Sequence, residues 1–450
     1  MIRRFPILLF WLILSIQFCI GQQFVLPKGQ KFEKVRFELI NNLMVVPVEI
    51  NGAKLKFVLD TGVSNPILFN LTDQDSVQIN QVSEITLRGL GEGEPIKALK
   101  SEHNRVRLGN ATNLDQRLFV VLDKEINFST SMGMTIHGII GYELFKSFVV
   151  EVNYANETLK LFPPSSYVYK TKGKQETVPI SLVDKKAYVV GSIDTEKKDN
   201  IPVRLLLDTG SSDALWLFHD TELGLEVPED YYEDFLGKGL SGNIYGKRSK
   251  LKGFRLGSFS LFDAKTAFPY KESFGLLTEL DGRNGSIGGE ILKRFNFIID
   301  YSKRQLTLRK NSLFKTPFQY NFAGIDLQHN GMRYISERIA DSNGFVTQKD
   351  KGGFGNVQIL MQNRTRLSLV PEIVVSAIRA GSPADRAGLQ EGDVILAVNG
   401  KRVYNYKLQE ILQMINEHDG KRVKLLIERY NKDLVYSFIV EDVFKTKKPR

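Results

Sequence analysis

Short apolar stretches alternate with breaks rich in Gly, Asn and Asp along most of this chain, the pattern of strands and tight turns. Leu43–Asp60, LMVVPVEINGAKLKFVLD, reads as two strands joined at Asn51-Gly52, a pair suited to a two-residue hairpin turn. Glu84–Lys100, EITLRGLGEGEPIKALK, and Gly237–Leu251, GKGLSGNIYGKRSKL, predict glycine-rich hairpins. Gly141–Phe148 and Gly288–Phe295 predict short helices after a glycine turn, each followed by a hairpin ending in LKLF or LTLR. In the last third, Tyr406–His418 has the spacing of an amphipathic helix, and Lys421–Arg429 and Leu434–Val440 read as strands.

These elements repeat. Asp60-Thr61-Gly62, behind the apolar run KFVL, has a twin 148 residues on at Asp208-Thr209-Gly210, behind RLLL. At the same spacing Ser64 meets Ser212, Gly89 and Gly91 meet Gly237 and Gly239, Arg107-Leu108-Gly109 meets Arg255-Leu256-Gly257, and Asp115 meets Asp263. One residue then drops out, and GIIGYELFKSFVVEVNYANETLKL from Gly138 lies over GSIGGEILKRFNFIIDYSKRQLTL from Gly285. Several matches in one order imply duplication. The expected organisation is a signal peptide at 1–21, one lobe at 32–164, a second at 175–312, and a further domain at 317–445 with no third copy.

Composition changes this picture little. The chain has 450 residues, 42% hydrophobic and 25% charged, as in ordinary globular proteins. The net charge of +10 is spread along the sequence apart from a terminal KTKKPR, and no nucleic-acid motif accompanies it, so a nucleic-acid partner is not expected. Arg3 and Arg4, the apolar PILLFWLILSIQFCI and the small residues Cys19 and Gly21 form a secretory signal, which implies an exported, periplasmic or secreted protein. An uncleaved anchor is the alternative; no other run is long enough to span a bilayer. Cleavage removes Cys19, the one cysteine, leaving no disulfide. The five histidines, at 103, 137, 219, 329 and 418, lack ligand spacing, so neither metal nor other cofactor is expected. His137 reads as structural, and KDKGGFGN as a turn and not a phosphate loop. No Gly-x-Ser-x-Gly elbow is present.

Two like lobes in one chain suggest a pseudo-twofold axis, near which a residue meets its own copy. Asp60 and Asp208 would then share one site. Two carboxylates so close cannot both ionise cheaply, and a shared proton lets the pair act as acid and base together. The sequence resembles aspartic proteases of the pepsin and retropepsin type, themselves the standard example of such a pair. The resemblance rests on the two Asp-Thr-Gly loops and on Ile139-Ile140-Gly141 and Ser286-Ile287-Gly288, which are similar to the family's segment behind each catalytic loop. It implies Asp60 and Asp208 as the catalytic pair activating water, supported by Thr61, Gly62, Thr209, Gly210 and Ser211. It implies flaps carrying Gly89, Gly91, Gly237, Gly239 and Tyr245. Ser211 could bond its Asp whereas Val63 cannot, which implies unequal carboxylates. The lack of cysteine and the short lobes look more like bacterial retropepsin-like proteins than secreted pepsins.

Ile378–Gly400, with Ser382-Pro383-Ala384, Ala387-Gly388-Leu389 and EGDVILAVNG, resembles PDZ domains of bacterial proteases. Such a domain binds polypeptide by adding it to a sheet edge, with backbone amides holding a terminal carboxylate. Phe322, Gly324 and Ile325 are the candidate peptide-binding residues; the other reading of that segment is a strand entering the domain. The expectation is thus a mainly β protein: two pseudo-symmetric aspartic-protease β-barrel lobes, then a PDZ domain of α+β type. Its expected function is an exported aspartic endopeptidase acting on polypeptide, with no membrane span in the mature chain. The rival is an inactive peptide-binding scaffold.

Overall fold

The computed structural model describes residues 23–71, 76–123, 126, 128–170, 173–273, 282–340, 346–348, 358–360 and 363–444. The signal segment with Cys19, the KTKKPR tail and KDKGGFGN lie outside the described residues. The protein is mostly β and divides into two compact units. One holds residues up to 128 and 135–319; the other holds Ser129–Met134 and Tyr320–Arg450. The first therefore contains both repeats.

Each repeat is an eight-stranded sheet closed on itself, and strand orders match element for element. In lobe 1 the order runs Glu38–Ile40, Leu43–Ile50, Ala53–Leu59, Gly138–Ile140, Ile67–Leu68, Ala111–Val121, Ile96–Leu108, Val82–Leu87, and Leu43–Ile50 also pairs with Ile96–Leu108. In lobe 2 the same places are held by Ser181–Val183, Lys186–Asp194, Ile201–Leu207, Gly285–Ile287, Leu215–Leu217, Phe259–Pro269, Gly242–Leu256 and Tyr231–Gly239. The Asn51-Gly52 turn has φ of 48° and 97°, the left-handed pair that its sequence predicts.

A six-stranded sheet joins the lobes: Glu33–Arg36, Thr158–Phe162, Val149–Asn153, Phe295–Asp300, Gln305–Lys310, Glu176–Pro179. At its centre Glu151 pairs with Ile298, its own copy in the repeat, flanked by Val150 with Ile299 and Val152 with Phe297. The pseudo-twofold axis passes through that pair. One continuous apolar core, including Phe57, Leu59, Phe145, Leu205, Leu207 and Phe295, runs through both lobes and this sheet. The helices Tyr142–Ser147 and Gly289–Leu292 form where the glycine turns predict them.

The steady spacing of the repeat hides a local shift. Ile67 lies opposite Ile139, and Trp216 lies opposite Ser286, so the turn after Asp208 is one residue longer than the turn after Asp60. The shift persists into the flap strand, where Val82 opposite Ser101 matches Tyr231 opposite Ser249, and it is absorbed at the flap tip.

The second unit is a six-stranded sheet with helix Leu408–Ile415, around a core of Ile325, Ile373, Ile395, Ile411, Leu425 and Ile427. Asn399-Gly400 makes another left-handed turn, φ 50° and 81°. Ser382 caps the short helix Pro383–Arg386 by accepting from the Asp385 N–H. The stretch 330–367 carries no clear strand pattern, yet Ile325–Ala340 and Asn363–Ile378 pair as a long antiparallel ribbon. Its outer half exposes Tyr334, Leu367 and Leu369, so the in–out alternation that marks a packed strand is missing.

Candidate functional site

Asp60 and Asp208 follow strands Ala53–Leu59 and Ile201–Leu207. Each of these strands is flanked by the segment that the repeat placed behind it. Leu59 pairs in parallel with Ile140, and the Asp60 N–H donates to the Ile140 carbonyl at 2.8 Å. Leu207 pairs with Ile287, and the Asp208 N–H donates to the Ile287 carbonyl at 3.0 Å. Gly141 must be glycine: a Cβ there would lie 1.8 Å from the Asp60 carbonyl oxygen.

The two loops lock together through the threonines. The Thr61 N–H donates to Thr209 Oγ1 at 3.0 Å, and the Thr209 N–H donates to Thr61 Oγ1 at 3.1 Å. Each hydroxyl also donates across the axis, Thr61 to the Leu207 carbonyl and Thr209 to the Leu59 carbonyl. Both threonines are fully buried, so these four bonds face no competition from water. They bring the carboxyls together above them. A Cβ on Gly210 would touch the Asp60 carboxyl at 2.3 Å, and one on Gly62 would lie 3.6 Å from Asp208 Oδ1. The Gly62 N–H donates to Asp60 Oδ1 at 2.6 Å and the Gly210 N–H to Asp208 Oδ1 at 3.1 Å. Both aspartates remain half-buried, with part of their surface exposed.

Burial and the charge of Asp208 push Asp60 up to about 7, against the pull of the Gly62 and Gly210 amides and of Lys186. Burial also raises Asp208, but Arg283 opposes it, with the Gly210 and Ser211 amides helping. The surroundings of the two carboxyls differ: Arg283 acts on Asp208, and at Ser211 it is the main-chain amide that supports the carboxylate. Sequence reading missed Lys186 and Arg283; neither belongs to a motif, and the strand registers give Lys186 the apolar Leu43 as its copy. A carboxyl pair that titrates in this way can hold one proton between them and pass it between polar groups bound above.

Hairpins Val82–Leu87/Ile96–Leu108 and Tyr231–Gly239/Gly242–Leu256 form as the sequence predicts, and their tips meet. The Gly89 N–H donates to Ser241 Oγ at 3.0 Å, and the Ser241 N–H to the Leu90 carbonyl at 3.0 Å. Leu90 packs against a small cluster of Trp216, Leu236, Ile244 and Ala267. Gly91 donates to the Ser273 carbonyl, and Gly239 passes so close under Leu90 that a Cβ would lie 2.0 Å from its carbonyl oxygen. Gly237 marks a bulge in its strand, and Tyr245 is exposed, edge-on to Phe235. Leu90 and Ser241 carry the tip contact, which the glycine pattern alone did not single out.

His137 is buried, and its Nδ1 accepts from the Lys56 N–H, as a structural histidine would. No cluster of metal-binding side chains occurs among the described residues.

In the second unit, Phe322-Ala323-Gly324 leads into the strand that begins at Ile325. Its amides are occupied: Ala323 N–H donates to Asn416 Oδ1 at 2.8 Å, and Gly324 and Ile325 donate to Asn321 Oδ1 at 2.9 and 3.2 Å. The segment is built as the entry of a strand, and a terminal carboxylate would have to displace asparagine side chains to use those three donors.

With this geometry in place, the chain can be set beside known proteins. A family model described as aspartyl protease matches residues 46–144, and one described as PDZ domain matches residues 374–429. The chain therefore carries an aspartyl protease-like domain and a C-terminal PDZ domain. Among curated proteins it is similar to protease Do-like 14 of Arabidopsis thaliana, 33% identical over 84 residues, 18% of each chain. It is also similar to a CtpA-like serine protease of Staphylococcus haemolyticus, 29% identical over 96 residues, 21% of this chain and 18% of the relative. A CtpA-like serine protease of Staphylococcus aureus is 36% identical over 58 residues, 13% and 12% of the two chains. The chain spans less than a fifth of the length of these relatives.

These relatives correct one expectation. An aspartic-type endopeptidase working through an Asp60/Asp208 dyad should have had aspartic-type relatives, whereas the names returned are of Do-like and CtpA-like serine proteases. They do not support that catalytic type, even though the family model over 46–144 bears the aspartyl protease description.

Proposed function

We propose that this chain is an exported protease whose PDZ domain engages polypeptide. The two-lobed unit holds substrate in the cleft above Asp60 and Asp208, and the flap hairpins with Gly89, Gly91, Gly237, Gly239 and Tyr245 close over it. The observation that carries the reading is the buried Thr61/Thr209 lock, which costs two hydroxyls their freedom and serves to hold two half-buried carboxyls together. Buried polar bonds of this kind are what keep site residues within a fraction of an ångström of their working positions. Asp60 and Asp208 are the residues proposed to meet the substrate, with Thr61, Gly62, Thr209, Gly210 and Ser211 positioning them. The finer likeness, to retropepsin-like proteins, draws its support from a flap hairpin in each lobe. In the PDZ domain, Phe322, Gly324 and Ile325 open the strand proposed to receive a peptide. No helix among the described residues is long and apolar enough to cross a membrane.

The test is turnover of a quenched peptide library between about pH 4 and about pH 8 by wild type and Asp208→Asn. Turnover by wild type is expected, with a raised KM in a folded Asp208→Asn protein, because Asp208 is proposed to touch the substrate. A fluorophosphonate arm reports whether an activated serine, as the relatives' names suggest for them, takes part. No turnover by wild type at any pH overturns the protease reading and leaves a peptide-binding protein.

A further inference from the structure

The PDZ unit contains six residues from far away in the chain: Ser129–Met134 cluster with Tyr320–Arg450 and not with the lobe that they interrupt. Ser129–Met132 forms one helical turn, and the Gly133 N–H closes it by donating to the Ser129 carbonyl at 2.9 Å. Met132 is buried. Gly133 has φ +69°, and a Cβ there would lie 2.8 Å from His329 Nε2 and 3.5 Å from Leu408 Cβ.

Those two neighbours define the location. His329 belongs to Ile325–Ala340, the end strand of its sheet, which pairs on one side with Asn363–Ile378. Leu408 is the first residue of helix Leu408–Ile415. Gly133 therefore touches both the edge strand and the helix beside it. An edge strand with side-chain pockets alongside is where a peptide adds to a sheet. Burial lowers the His329 pKa from its ordinary value, in keeping with a ring covered by protein.

We propose that Ser129–Met134 is a built-in occupant of the PDZ groove, and that an external peptide binds by displacing it. This rests on the PDZ assignment alone and is independent of the protease reading. The occupant is a helical turn, so it fills space between strand and helix without extending the sheet. A strand-forming peptide can gain ladder hydrogen bonds that the turn does not make, which gives it the means to compete. The left-handed Gly133 admits the close approach to His329, and any larger residue would lose it. The turn is tethered: three residues on, the His137 N–H donates to the Lys56 carbonyl within a sheet. Once displaced, it stays at high local concentration, and the groove's apparent affinity falls by the fraction of time it is filled.

The test uses the full chain and a version with residues 129–134 replaced by a Gly-Ser linker of equal length. The probe is a labelled synthetic peptide of residues 126–137, read by fluorescence anisotropy. Binding at least about tenfold tighter to the linker version is expected. Equal affinity for the two, or binding to neither, overturns the proposal. Hydrogen exchange gives a second readout. In wild type the amides of 129–134 and of the His329 strand should be protected, and Gly133→Val should release both while Val423–Ile427 stays protected. Rapid exchange of 129–134 in wild type overturns the proposal equally.

Discussion

In the second lobe a buried arginine, Arg248, donates to Asp213 and Asp234, each at 2.7 Å, and Asp213 also accepts from the Trp216 indole. The same sheet position in the first lobe is Lys100, partly exposed and 3.3 Å from Glu102. Around the matching turn, lobe 1 has Ser64, Asn65 and Pro66 and no charge. Lobe 2 uses its extra turn residue to bring a carboxylate into the interior. Burial alone would raise Asp213, and the Arg248 and Lys265 charges outweigh it and hold the carboxyl below its usual range. One strand order thus tolerates two interiors, because the order is set by apolar alternation and turns, while the filling beneath the flap can be apolar or ionic provided every charge is met.

The largest expected break of this comparison is Arg248→Ala. It strands Asp213 and Asp234 in a buried site and should cost about 3–5 kcal/mol in denaturant unfolding of the two-lobed unit. A loss near zero would mean that water reaches the network. Next is the Thr pair, where the lobes should behave alike. Thr61→Val and Thr209→Val each remove one hydroxyl donor and leave a buried N–H without its acceptor, at about 2–3 kcal/mol each. Unequal losses would show that one loop leans on the other.

The third expectation is a pH dependence. Asp60 binds its proton more tightly in the folded chain, up to about 7 from 3.8, so the stability it contributes is full at low pH. That contribution is lost as pH rises through about 7. Thermal unfolding at about pH 4.5 and about pH 7.5 should show wild type losing stability with pH and Asp60→Asn losing less. A parallel response of the two proteins would place the shared proton elsewhere. Smallest is Lys100→Ala, the lobe 1 counterpart of Arg248, which should shift stability by no more than about 0.5 kcal/mol, because its ion pair faces solvent.

Much of the candidate site was legible in the chain because duplication writes each loop residue twice. Asp60-Thr61-Gly62 and Asp208-Thr209-Gly210 announced both loops, Ile139-Ile140-Gly141 announced its supporting segment, and glycine clusters announced the flaps. What acts only once left no such mark. Arg283 beside Asp208, Leu90 at the flap contact and the Arg248 network belong to one lobe each, and nothing in a repeat points to its own exceptions. The ribbon of Ile325–Ala340 and Asn363–Ile378 escaped for a different reason: its outer half buries little, so no period of two appears.

By itself the sequence determined the strands of both lobes, the turns, the doubled architecture and the PDZ-like end, since alternation, Asn-Gly turns and helix caps are local and act within a few residues. Only the tertiary structure decided that burial raises both carboxyls, that the flap tips close on Ser241, and that Ser129–Met134 belongs with the PDZ domain. Each of these depends on electrostatic or packing contacts between residues distant in the chain, and such contacts exist only once the whole chain has folded.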